Sequence, residues 1–476
     1  MMTSMSTTFG STLATTREAN KQSEEDTTKV SELTYKMPPS AAIPATSEHE
    51  ERETSEEAPT STPYTIHQLL LVSESYNSYK QSALAERAWD AYPLLCTYGT
   101  KTKWSTPFPD DGLCDLIFYD SAYKDTWTIP TKPITFSESL NVVLAASSKY
   151  KTTKIGVGFA YFYMDSFQSD LKVPMALTAF WDRHVYHFGI IDMPAFDVDH
   201  EDIAKVFAVL KELSVLAQKN PGDVELPYIV LGAVPLQRAK DYASQMRNVY
   251  SPTLFISQGH FAYGDNEVPD CKVVPPTMLT KPPKSPGYPY DLNDAANALK
   301  QIHDEYGWSK WLLSVGMKGR LTKLYGRSHF RPLSSCKQDP QVKPFESYAE
   351  VCAMRYLRYN LKYSEALDAM YTYDNSLFVM FMYDDEEGLC RKVCNIKSKH
   401  EALEFGLAVY DLDYEDYYNN CSARNLFGAF SRLKMVRRLS TTFGLRRVVA
   451  TAQTTFPAPS DVDDADLRHS VGLTST

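Results

Sequence analysis

The sequence lacks a membrane-spanning segment, because no stretch reaches the ~18–20 apolar residues that a bilayer requires. Residues 1–16 have neither a basic nor an apolar region, so they show no export signal. Positive charge is also in short supply, with 49 Lys and Arg against 59 Asp and Glu and a net charge of −10. An acidic chain is poorly suited to phosphate backbones and anionic lipids, so neither nucleic acid nor a membrane is an expected partner.

Several catalytic and metal-binding signatures are missing as well. No Cys-x-x-Cys pair occurs, and Cys390 and Cys394 have no His/Cys cluster beside them, so no zinc site is predicted. Ser257 lies in no Gly-x-Ser-x-Gly elbow, and residues 156–158 (GVG) lack the rest of a dinucleotide loop. No His-Glu-x-x-His spacing occurs, so the remaining candidates are interpreted as core or surface histidines: His184, His187, His200 and His260. The sequence therefore predicts neither a cofactor nor a metal.

Composition divides the chain into a polar start, a long middle and a polar end. Residues 1–63 are rich in Ser, Thr, Glu and Pro and are expected to be disordered, because they cannot bury enough apolar surface to offset the loss of chain entropy. Residues 64–92 form a linker or short helix, and residues 440–476 are expected to be loose. The 43% hydrophobic content is concentrated in the middle segment, which therefore holds the folded domain.

Between residues 93 and 439, short apolar runs alternate with amphipathic helical stretches, which predicts βα units around a parallel sheet. The best helix covers residues 199–218, with Asp199 as its cap and an apolar face along its length. The eight cysteines fit either disulfides in an extracellular protein or buried thiols in a cytosolic one, and their spacing does not choose between the two.

Five segments of this region, in their order along the chain, resemble glycoside hydrolase family 18, the chitinase-like proteins: residues 113–121, 310–326, 345–352, 383–393 and 405–421. The resemblance implies a (β/α)8 barrel over residues 93–439, with a small α+β insertion at about 330–395 between strands seven and eight. It also implies the disulfides Cys96–Cys114 and Cys352–Cys421, and hence an extracellular location.

Family 18 enzymes carry Asp-x-x-Asp-x-Asp-x-Glu at the end of the fourth strand, where the Glu is the acid and an Asp orients the N-acetyl group of the substrate. Two alignments of this motif are open. In the first, residues 187–193 (HFGIIDM) are the fourth strand, and the four carboxylate positions fall on Phe188, Ile191, Met193 and Ala195. In the second, residues 195–201 are the match, and Asp197, Asp199 and Glu201 are catalytic.

The first alignment is preferred, since an apolar run is typical of a buried parallel strand, while Asp199 and Glu201 suit the start of the next helix. The resemblance further implies a ligand contact for Tyr410, in place of a sugar-stacking Trp. The Met-x-Tyr-Asp of the family's sixth strand is missing at the matching place, and Tyr263 and Asp265, which lie further on, are the remaining ligand-binding candidates. The sequence therefore predicts a non-catalytic protein that either binds chitin or N-acetylglucosamine-containing glycans, glycoprotein glycans included, at the barrel mouth, or is a secreted interaction protein. The alternative is an active family 18 glycosidase with Glu201 as its acid.

Overall fold

The structure, a computed structural model, contains a closed barrel of eight parallel strands. It describes residues 92–124, 128–195, 198–219, 226–261, 271–281, 291–307, 309–326, 330–337, 339 and 342–454. The barrel strands are β1 (Leu95–Tyr98), β2 (Leu116–Ala122), β3 (Lys154–Phe159), β4 (His187–Met193), β5 (Ile229–Ala233), β6 (Leu254–Ser257), β7 (Lys310–Gly316) and β14 (Gly406–Tyr410). They are hydrogen-bonded in the order β1-β14-β7-β6-β5-β4-β3-β2, and β2 closes on β1. The predicted (β/α)8 fold is confirmed.

Helices follow most of these strands and cover the outside of the barrel. They are α1 (Glu138–Ala146), α2 (Met164–Leu171), α3 (Thr178–Trp181), α4 (His200–Ala217), α5 (Ala239–Asn248), α6 (Leu292–Glu305), α9 (Glu386–Lys399) and α10 (Ser431–Thr454). Side chains such as Ile203, Val206 and Leu210 of α4 repeat at helical spacing and are buried against the strands. The main core thus lies between the strands and the helices.

A second, smaller core fills the inside of the barrel. Its members come from seven of the eight strands, or from the residues that border them: Leu95, Leu116, Phe118, Ile191, Tyr228, Val230, Leu254, Ile256, Leu312, Ala408 and Tyr410. Strand β3 contributes glycine instead, because a Cβ at Gly156 would lie 2.5 Å from the Phe118 ring and one at Gly158 would lie 2.7 Å from Ile191. The barrel is therefore a packed apolar body, and its functional surface can lie only at an end.

An antiparallel sheet is inserted between β7 and β14. Its strands are β8 (Gly319–Leu324), β9 (Cys336–Lys337), β10 (Phe345–Glu346), β11 (Lys362–Ser364), β12 (Ala369–Asp374) and β13 (Val379–Tyr383), and it carries α7 (Ala349–Ala353) and α8 (Arg355–Tyr359). The sheet begins at Gly319, earlier than the predicted 330, because β8 follows β7 after a turn of only two residues. Residues 386–395 belong to α9 of the barrel, so the predicted end of the insertion was also wrong.

Three disulfides tie these parts together. Cys96–Cys114 and Cys352–Cys421 are the two pairs that the resemblance implied. The third is Cys271–Cys336, and it joins the stretch after β6 to β9 of the inserted sheet. The sulfur atoms of Cys390 and Cys394 lie 3.9 Å apart on α9.

At the ends of the chain, one segment is described and three lie outside the described residues, where the expectations stay predictions. Helix α10 buries Leu433, Val436 and Leu439 and continues to Thr454, so residues 440–454 are helical where a loose segment was expected. Residues 1–63, the 64–91 part of the linker and residues 455–476 lie outside the described residues. Across the described ranges, no helix is both long enough and apolar enough to cross a membrane.

Candidate functional site at the barrel mouth

The candidate site lies where the barrel strands end. Because all eight strands are parallel, their carboxyl ends meet at one rim, which is the end that carries function in this architecture. Six charged side chains come from these strand ends or from the first residues after them: Asp120, Lys124, Asp192, Lys318, Asp411 and Asp413. We call these six residues the mouth cluster.

A bulge in β4 decides which side chains reach the mouth. The pairing of β4 with β5 shifts between Ile190 and Met193, and such a bulge re-aims the side chains beyond it. Ile191 packs into the barrel interior, and its carbonyl accepts hydrogen bonds from Tyr410 Oη at 2.8 Å and Gln258 Nε2 at 2.7 Å. Met193 instead accepts a hydrogen bond from Tyr242 Oη on α5. Asp192 lies between them and is the carboxylate that β4 supplies to the mouth.

One half of the mouth cluster is a lysine between two aspartates. Lys124 Nζ lies 3.6 Å from Asp120 Oδ1 and 3.9 Å from Asp192 Oδ2. Asp192 also accepts hydrogen bonds from Ser121 Oγ and from the backbone N–H of Tyr161, both at 2.9 Å. Burial and the charge of Asp120 raise the pKa of Asp192, against the opposing effect of Lys124. Partial desolvation works against the charge of the half-exposed Lys124, but the two carboxylates outweigh it and raise the pKa of its ammonium group.

The other half follows β7 and β14. Lys318 Nζ lies 2.9 Å from Asp411 Oδ1, and the backbone N–H of Lys101 donates to Asp413 Oδ2 at 3.0 Å. Asp413 is 2% exposed, and its Oδ1 has no hydrogen-bond partner among the described residues. Burial, followed by the charge of Asp411, raises the pKa of Asp413 to about 6. This half therefore holds a buried carboxylate that lacks a full set of donors.

A buried histidine lies beside the mouth cluster. His260, just after β6, is 1% exposed, and its Nδ1 lies 2.7 Å from Ser314 Oγ. Its ring centroid is 4.5 Å from that of Tyr410, and Nε2 has no partner within the described part of the chain. Burial and the charge of Lys318 lower the pKa of His260 to about 3, so the ring is neutral at physiological pH.

Exposed aromatic side chains stand on the neighbouring loops. Trp104, on the loop after β1, is 66% exposed, and Phe162, just after β3, is 69% exposed. Strand β2 pairs with both β1 and β3, so these two loops leave the barrel on either side of the strand that carries Asp120. Large exposed aromatic faces next to polar groups are a common arrangement for binding ligands that have both apolar and polar faces.

The structure separates the residues that the sequence proposed for the site. Asp199 is the N-cap of α4, where its side chain accepts from the backbone N–H of Asp202 at 2.9 Å, and Glu201 is exposed in the first turn of that helix. Tyr410 is 2% exposed and hydrogen-bonded inside the barrel, so it offers no open face for stacking, contrary to the expectation from its position. Three other candidates, Asp197, Tyr263 and Asp265, lie outside the described residues.

Sequence reasoning missed the mouth cluster. Asp120 and Asp192 each stand near the carboxyl end of an otherwise apolar strand, and an acidic side chain at that place was the available signal. Asp192 was passed over because strict strand alternation assigns Ile191 and Met193 to the inner face, whereas the bulge turns Met193 outward.

Replacing Asp413 by asparagine is expected to stabilise the protein at neutral pH. Because its pKa of about 6 lies above the ordinary 3.8, the folded state binds the proton more tightly than the unfolded chain does. Stability is therefore lost as the pH rises from about 4 to about 6, and the loss above that range is about 3 kcal/mol. Thermal denaturation should show a higher melting temperature for Asp413→Asn at pH 7.5 and no such gain at pH 4. Equal gains at both pH values, or a gain in the exposed control Asp110→Asn, would contradict this origin.

No group of three or more His, Cys, Asp or Glu side chains within the described ranges is arranged to hold a metal ion.

No protein-family model and no curated protein matches the chain. Solved structures do match. They include human YKL-39, described as a pseudo-chitinase with retained chitooligosaccharide binding properties, at 15% identity and a TM-score of 0.54 over 74% of this chain and 100% of that one. The immunomodulatory active chitinase of Trichuris suis matches at 16% identity and a TM-score of 0.53, over 74% of this chain and 99% of that one. The Group IV chitinase of Ostrinia furnacalis matches at 15% identity and a TM-score of 0.52, over 74% of this chain and 99% of that one. At these identities the comparison shows that the chain has the chitinase fold.

Proposed function

We propose that this protein is a secreted, non-catalytic chitinase-like protein of glycoside hydrolase family 18 that binds chito-oligosaccharides at the mouth of its barrel. The observation that carries the proposal is the state of β4. The positions that the preferred alignment assigns to the catalytic carboxylates hold Phe188, Ile191 and Met193, all fully buried, and then Ala195. A substrate-assisted mechanism needs an acid that can protonate the leaving oxygen, and this strand end provides none at the matching place.

Hydrolysis by Glu201 is disfavoured by its position. Its side chain is exposed in the first turn of α4, where acids are common because they stabilise the helix N-terminus. The preceding Asp199 is engaged in a reciprocal capping box with Asp202. An acid catalyst of this family needs a raised pKa, which burial supplies, and the exposed side chain of Glu201 lacks that burial.

Ligand binding is supported by what the mouth offers. The hydroxyl and amide groups of an oligosaccharide can bond to the carboxylates and ammonium groups of the mouth cluster, while its apolar sugar faces can stack on Trp104 and Phe162. The three disulfides fit an oxidising, extracellular setting, in which such glycans occur.

Replacing Trp104 by alanine is expected to weaken binding of N-acetylglucosamine hexamer about tenfold, because a stacked aromatic side chain contributes about 1–2 kcal/mol. Isothermal titration measures the affinity, and chromatography of the same sample should show an intact hexamer. The matched control is Tyr359→Ala, which removes a 68% exposed ring from α8 of the insertion and should leave binding unchanged.

Two other outcomes would overturn the proposal. Shortened products that disappear in Glu201→Gln would establish a hydrolase and the second alignment. Absence of heat at millimolar hexamer would leave a protein-interaction role, and the ligand would then be sought among proteins.

A further inference from the structure

The mouth cluster has an imbalance of charge. Four carboxylates, of Asp120, Asp192, Asp411 and Asp413, face two ammonium groups, of Lys124 and Lys318. The two halves adjoin at Gly99, where a Cβ would lie 3.3 Å from Oδ2 of Asp413 and 3.5 Å from the carbonyl oxygen of Asp120. Asp411 accordingly raises the pKa of Lys124 together with Asp120 and Asp192. The neutral His260 adds no positive charge. The nearby Lys101 does not correct the imbalance, because its ammonium group is 2.7 Å from Glu346.

A buried carboxylate oxygen of the cluster also has no hydrogen-bond donor among the described residues. Oδ1 of Asp413 has no hydrogen-bond partner in the part of the chain that the structure describes. Nε2 of the buried His260 has none there either, and the tautomer of the ring decides whether this nitrogen donates or accepts. The contacts of Lys124, at 3.6 and 3.9 Å, are longer than a direct charge-assisted hydrogen bond of about 2.7–2.9 Å. Buried polar atoms are normally satisfied, so an unpaired carboxylate oxygen at the mouth of a barrel points to a ligand that donates.

From this imbalance we infer that the mouth cluster recognises a free amine, so that the preferred ligand is a β-linked oligosaccharide of glucosamine, the deacetylated form of chitin. An ammonium group brings one positive charge and three hydrogen-bond donors, which the four carboxylates lack, whereas an acetamide brings one donor and no charge. This inference rests on the proposed function, because it names which amino sugar the same site takes.

The lysine between Asp120 and Asp192 shows where the amine would bind. Its side chain is 45% exposed, and it holds an ammonium group against the two carboxylates from the solvent side. The ammonium group of a ligand could take this place at shorter distances, while the lysine moves into solvent. Lys124 is then a competitor for the site, and its removal should favour the ligand.

The test compares two hexamers, of glucosamine and of N-acetylglucosamine, by isothermal titration against the full chain at pH 7 and about 0.15 M salt, where long-range attraction to the net negative chain is largely screened. The glucosamine hexamer is expected to bind at least tenfold more tightly. Asp120→Asn should remove most of that preference, whereas the exposed Asp110→Asn, which changes the net charge equally, should preserve it.

A variant that is expected to strengthen binding keeps the test independent of folding defects, because a misfolded protein would bind more weakly. Lys124→Met should strengthen binding of the glucosamine hexamer several-fold, while Lys103→Met, on an exposed position of the β1 loop, should not. Equal affinity for the two hexamers, or a tighter acetylated one, would overturn the inference and leave the proposed function standing. Failure of both hexamers to bind would overturn the two together.

Discussion

Aspartate in place of Ile191 is expected to unfold the barrel or to cost more than about 4 kcal/mol in the free energy of unfolding. The resemblance puts a carboxylate of the catalytic motif at this position, but here the side chain is fully buried among apolar neighbours. Gly158 leaves the space that Ile191 fills, since a Cβ there would lie 2.7 Å from Cγ1 of the isoleucine. A carboxylate at this place would be buried among the apolar side chains of the barrel interior.

Ile191→Val is the matched control. It removes one methylene group and should cost about 0.5–1.5 kcal/mol. Thermal or chemical denaturation followed by circular dichroism measures both variants. If Ile191→Asp melts close to the wild-type temperature, the interior must admit water or a partner charge, and the argument that the catalytic position has become part of the core would fail. The experiment thus tests the proposal of a non-catalytic protein through its stability, without any substrate.

The architecture was accessible from the sequence because it depends on patterns that repeat. Apolar runs such as residues 187–193 alternate with helices such as α4, and that alternation predicts βα units around a parallel sheet. The closure of the sheet into a barrel of eight strands was implied by the resemblance to family 18. The helix cap could be predicted from the sequence as well. Asp199 was predicted as the N-cap of α4 from its residue type and the acids that follow it, and the structure shows it there.

The site was harder to predict from the sequence, because it depends on local irregularities that leave no periodic signal. One extra residue in β4 sends Asp192 towards the mouth and Met193 outward, and a bulge of this kind cannot be read from an apolar run. The resemblance implied that Tyr410 stacks on a sugar at the mouth, yet its hydroxyl reaches across the barrel to the carbonyl of Ile191. Space for that hydroxyl exists because residue 232 is glycine, where a Cβ would lie 2.7 Å from it.

One motif behind the resemblance has a structural role. Residues 383–393 include Lys392, whose ammonium group is fully buried and lies 2.5 Å from Asp384 Oδ1, also fully buried. The same lysine donates to the carbonyl of Thr277 at 2.7 Å, and the backbone N–H of Thr277 donates to the other oxygen of Asp384 at 3.1 Å. The pair therefore fastens α9 and the end of β13 to the segment after β6.

Methionine in place of Lys392 is expected to lower the free energy of unfolding by about 3–5 kcal/mol, since it leaves the Asp384 carboxylate buried without its counter-ion. Lys399→Met makes the same change at an exposed position of the same helix and should have little effect. The double variant Lys392→Met with Asp384→Leu should recover part of the loss, because removal of both charges is less costly than removal of one. Denaturation curves of the wild type, the two single variants and the double variant measure the loss of stability and its recovery. A single variant as stable as the Lys399 control would mean that water or another cation reaches Asp384, and that the motif does not hold the insertion to the barrel in the way that its contacts indicate.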